Sequence, residues 1–95
     1  MKNYKKIEFK KSAEKFLKSR TRKEQVLILS KIYKLPGGTD VIKMGGYQNR
    51  YRLRVGDYRI IFEMRDEIDD SNEECIKFIL VILVVEIGNR RDVYK

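Results

Sequence analysis

From Arg50 to Glu63 the chain alternates, turns and alternates again. It reads Arg50-Tyr51-Arg52-Leu53-Arg54-Val55, then Gly56-Asp57, then Tyr58-Arg59-Ile60-Ile61-Phe62-Glu63. A period of two belongs to strands, whose successive side chains point to opposite faces. Two such runs around Gly-Asp mark a hairpin with glycine at the position that a type II′ turn requires. The first strand spans Tyr47 to Val55 and the return strand Tyr58 to Met64. Arg50, Arg52 and Arg54 then share one face of the first strand, with Arg59, Ile61 and Glu63 on one face of the second. Tyr51, Leu53 and Val55 point the other way, as do Tyr58, Ile60 and Phe62.

The rest of the chain is organised around this hairpin. Tyr4 to Phe9 forms an edge-like strand with Ile7 and Phe9 on one side. Ser12 is the expected cap of a first helix, which carries Ala13, Phe16 and Leu17. After Ser19-Arg20, the segment Thr21-Arg22-Lys23-Glu24 has the capping-box form. A second amphipathic helix follows, built on Val26, Leu29, Ile32 and Tyr33 together with Ile28 and Leu35, and ended by Pro36-Gly37-Gly38. Val41 to Met44 forms a short strand before Gly45-Gly46. Residues 65–75 read as an acidic, solvated loop, and Ile76 to Ile87 as a central strand buried on both faces. The main elements follow the order β-α-α-β-β-β, an α+β fold with an antiparallel-rich sheet and a helical hairpin on one face.

Length and charge narrow the function. At 95 residues and 42% apolar, the chain is one folded domain, residues 1–95. The longest apolar run, Phe78 to Val85, is too short to span a bilayer, and no signal segment opens the chain. A lone cysteine, Cys75, fits a reducing cytoplasm and is read as a small packed residue at a strand start. Without histidine there is no plausible soft metal site, so no metal and no cofactor are expected. Net charge is +8, but residues 65–75 hold −5, leaving +13 on the other 84 residues. A small body so charged attracts polyanions at long range. Three arginines abreast on a strand repel one another unless an anion lies over them. With the closing Arg90-Arg91-Asp92-Val93-Tyr94, they point to a phosphate-rich ligand, RNA first among the candidates.

Two stretches, Tyr51 to Glu63 and Val85-Glu86-Ile87-Gly88-Asn89-Arg90-Arg91-Asp92-Val93-Tyr94, closely resemble the RelE branch of the RelE/ParE toxin superfamily. The resemblance covers essentially the whole chain. It implies the toxin of a type II toxin–antitoxin system, a ribosome-dependent endoribonuclease that cuts messenger RNA in the A site without a metal. It also implies a cognate antitoxin as partner, with the ribosome and mRNA as targets. By position, Arg52 and Arg54 match the basic positions of the family's second-strand motif, and Arg59 the arginine after the turn. Arg90 matches the basic residue after the last strand, and Tyr94 the tyrosine that stacks on a base. These five are the implied catalytic residues, with Arg50 and Arg91 as RNA contacts. Many relatives carry His or Lys where this chain has Asn89, and the chain ends one residue past Tyr94, without the terminal helix of some relatives.

Metal-free cleavage begins with the ribose 2′-oxygen attacking phosphorus and yields a 2′,3′-cyclic phosphate and a 5′-hydroxyl. Arginines suit the phosphorane charge, since the guanidinium fork matches phosphate oxygens, but they rarely act as bases. Catalysis is therefore expected to rest on charge stabilisation and positioning. Arg59 and Arg90 would clamp the phosphate, Arg52 and Arg54 complete the cationic wall, and Tyr94 stack on a base or relay a proton. Glu63 is either a base or an ordinary ion-pair partner of an arginine on its strand face. Two other readings stay open: a ParE-like toxin that binds gyrase and cuts nothing, and a catalytically inactive RNA-binding homologue.

Overall fold

A computed structural model describes residues 4–72 and 74–89. The elements run β1 (Tyr4–Phe9), α1 (Lys11–Lys18), α2 (Arg22–Ile32), β2 (Val41–Lys43), β3 (Arg50–Val55), β4 (Tyr58–Asp69) and β5 (Lys77–Asn89). The strands form one sheet in the order β1-β5-β4-β3-β2. β1 runs parallel to β5, and the other pairs are antiparallel. The fold is thus α+β with a five-stranded mixed sheet, one strand longer than the β-α-α-β-β-β count because β2 pairs fully with β3.

One face of the sheet is closed by the helices. Ala13 and Leu17 of α1, Ile28 and Ile32 of α2, and Leu35 meet Leu53, Val55, Ile60, Phe62, Ile82, Val84 and Ile87 in a single buried cluster. Tyr51 stacks on Phe62 across the β3–β4 ladder, centroids 5.6 Å apart, and Phe16 meets Tyr58 edge to face at 6.1 Å.

The helix boundaries depart in part from expectation. Lys10, not Ser12, is the residue before α1, and no side chain caps that end. The amide of Lys10 donates to the Val84 carbonyl at 2.9 Å, so the β1–β5 ladder runs to the helix and leaves Ser12 inside it. The capping box of α2 forms, with Glu24 N–H donating to Thr21 Oγ1 at 3.2 Å and Thr21 N–H to Glu24 Oε1 at 3.4 Å. The buried stripe of α2 is Ile28 and Ile32, with Leu29 beside it and Leu35 continuing it past the helix end, whereas Val26, Leu27 and Tyr33 are exposed. At the far end of α2, Lys5 Nζ donates to the carbonyls of Tyr33 and Leu35, placing a cation where unpaired carbonyls collect.

The hairpin turn is as expected. Gly56 has φ +55°, and no described non-glycine residue has positive φ, so Asp57 takes the second position of a type II′ turn. Several strand limits differ: β2 ends at Lys43 rather than Met44, and β5 runs from Lys77 to Asn89 rather than from Ile76 to Ile87. β3 begins at Arg50, since Tyr47–Asn49 lie in the turn before it, and β4 continues to Asp69 instead of ending at Met64. The acidic residues tolerate a strand because charges interleave on it: Arg65 bonds Glu67 at 2.9 Å, and Asp69 lies opposite Lys77. The loop shrinks to 70–76, with Asp69 and Asn72 side chains accepting from the amides of Ser71 and Glu74, both at 3.1 Å. Cys75 is exposed in this loop rather than packed.

Candidate nucleic-acid interface

The face of β3 and β4 turned away from the helices carries the arginines. Register places Arg50 opposite Glu63, Arg52 opposite Ile61, and Arg54 directly opposite Arg59. All four sequence-predicted arginines of the hairpin therefore share this face. Arg54 is exposed and Arg52 half-buried, while Arg59 is only 4% exposed. The β3–β4 register thus sets two cationic side chains, Arg54 and Arg59, directly opposite each other.

Arg50 is differently placed. Its Nη2 and Nε donate to Glu63 Oε2 at 2.7 and 3.1 Å, and its guanidinium lies 4.5 Å from the centre of the Tyr47 ring. The Glu63 carboxylate raises the Arg50 pKa above its ordinary value, chiefly through that hydrogen bond. Glu63 thus forms the ion pair that was one of its two expected roles, and its partner is Arg50.

β5 completes the face. Gly88 lies opposite Arg59 and Glu86 opposite Ile61. Glu86 was missed by sequence reasoning, which read the last strand as buried on both faces. The available signal was an acidic residue within an otherwise apolar run. Arg90, Arg91 and Tyr94 lie outside the described residues. Asn89, opposite Tyr58, falls on the helix side of the ladder. Among the described residues, no helix is long and apolar enough to cross a membrane.

No family model and no curated protein matches the chain. Among solved structures, it is similar to a chain in the crystal structure of the RelB-RelE antitoxin-toxin complex from Methanococcus jannaschii. Identity is 26% and the TM-score 0.57, over 92% of this chain and 94% of that one. The likeness runs through the whole fold and supports a relation to toxin–antitoxin systems.

Proposed function

We propose that the chain is the toxin of a type II toxin–antitoxin pair and acts as a ribosome-dependent endoribonuclease that cuts messenger RNA in the A site. The observation that carries this reading is the Arg54–Arg59 opposition on the sheet face turned away from α1 and α2, which also holds Arg52. Guanidinium groups fixed on a rigid ladder are suited to hold a phosphate and to take up charge as the phosphorane forms, with little reorganisation.

In this mechanism the exposed Arg54 meets the backbone first, and Arg52 and the more covered Arg59 complete the cationic wall. Arg90 and Tyr94 take the clamp and base-stacking roles that the family resemblance assigns them. Attack by the 2′-oxygen displaces the 5′-oxygen and leaves a 2′,3′-cyclic phosphate. The reaction as written needs no metal. The partner is a cognate antitoxin whose acidic segment complements the basic body, as the relation to a RelB-RelE complex supports.

Purified protein added to programmed ribosomes, followed by primer extension along the message, tests the reading. Cuts within the A-site codon that vanish with Arg59→Ala are expected. Intact message at saturating protein overturns it, and inhibition of gyrase by the same preparation would then assign the ParE-like activity.

A further inference from the structure

We propose that Glu86 is the general base of the cleavage reaction, an inference that rests on the nuclease reading above. The argument begins with an irregularity in the β4–β5 ladder. Phe62 pairs with Val84 but Ile61 pairs with Glu86, so Val85 is an extra residue and the register shifts there. Ile82 and Val84 are fully buried in the helix-side core. Strict alternation from them would send Glu86 into that same core. The bulge reverses the parity, so that Ile87 enters the core at 4% exposure and Glu86 emerges on the arginine face. Bulges commonly re-aim a side chain beside an active site.

Position and availability then single out Glu86. Ile61 lies between Arg52 on β3 and Glu86 on β5, and Glu86 is diagonal to Arg59. Diagonal neighbours on a sheet lie roughly 7–8 Å apart, within reach of one bound nucleotide for side chains as long as these. The other carboxylates on this face of the described ladder are occupied. Glu63 is held by Arg50 at 2.7 Å, Glu8 by Lys6 at 3.2 Å, Glu67 by Arg65 at 2.9 Å, and Asp69 by the Ser71 amide at 3.1 Å. Glu86 is exposed and joins none of these pairs. A carboxylate on a phosphate-binding face weakens binding by repulsion, so its value there lies in the proton chemistry that arginine cannot supply.

The step balances without a co-reactant. A Glu86 oxygen takes the 2′-hydroxyl proton as the 2′-oxygen bonds to phosphorus. The bond from phosphorus to the 5′-oxygen breaks, and that oxygen takes a proton from water. Glu86 afterwards returns its proton to solvent.

Single-turnover cleavage on programmed ribosomes, measured against pH for wild type, Glu86→Gln and Glu86→Asp, tests the assignment. Glu86→Gln is expected to lose on the order of 10²-fold in rate and the rising acid limb of the profile, with ribosome binding retained. Glu86→Asp should recover part of the rate and keep the limb. Cleavage by wild type together with a Glu86→Gln rate within threefold and an unchanged profile would overturn the proposal and leave the nuclease reading standing. Failure of wild type to cut the message overturns the nuclease reading, and the base assignment with it.

Discussion

The two faces of β4 differ in chemistry, although one strand supplies both and Arg59 and Ile61 are nearly as buried as the core residues beside them. Toward the helices, Ile60 and Phe62 are fully buried in the common core. On the other face, Arg59, Ile61 and Glu63 stand opposite Arg54, Arg52 and Arg50. One face is held by apolar burial, which stabilises without regard to direction. The opposite face carries opposed guanidinium groups that add little stability and much field. On the proposed nuclease reading, stability and function are thus divided between the two sides of a single period-two alternation, so substitutions one residue apart should act on different observables.

Phe62→Ala is the strongest way to break that comparison. It removes a fully buried ring that also stacks on Tyr51, and about 3–5 kcal/mol of stability should be lost in chemical denaturation, with activity falling only because the fold does. Arg59→Ala tests the other face. Cleavage should fall on the order of 10²-fold, as when one charge-stabilising donor is removed, with circular dichroism still reporting a folded chain. Wild-type cleavage by a folded Arg59→Ala protein would remove this residue from the site. Thr21→Ala sharpens the contrast from the helix layer. Loss of the capping box should cost about 1 kcal/mol in thermal or urea unfolding and leave cleavage by the folded fraction unchanged. The smallest effect belongs to the Arg50–Glu63 pair, whose side chains are 24% and 28% exposed. A double-mutant cycle should return a coupling of about 0.5–1 kcal/mol, and the absence of coupling would show that the pair carries no energetic weight.

Local chemistry made much of this legible. The Gly56-Asp57 turn, the shared arginine face and the Thr21–Glu24 capping box each depend on residues a few positions apart, and each has the expected form. Other expectations yielded to longer-range contacts. Ser12 lost its capping place because the β1–β5 ladder extends to Lys10. Residues 65–69 belong to a strand despite their charge, because Lys77–Val81 supply a paired backbone and alternate charges compensate one another. Val26 and Tyr33 are apolar yet exposed, since a helix on a sheet buries one stripe and Ile28 and Ile32 occupy it. At the candidate site, the hairpin arginines were legible and Glu86 was not.

What the sequence determined by itself is therefore the hairpin and the side of it on which the cations lie, because alternation and turn chemistry act between neighbours along the chain. The tertiary structure decided which carboxylate is paired and which is presented. Glu63 is committed to Arg50 by the β3–β4 register, and Glu86 reaches the arginine face through the extra residue in β5. Both outcomes depend on which residues of separate strands lie opposite each other, and a shift of one residue reverses the face of every side chain beyond it.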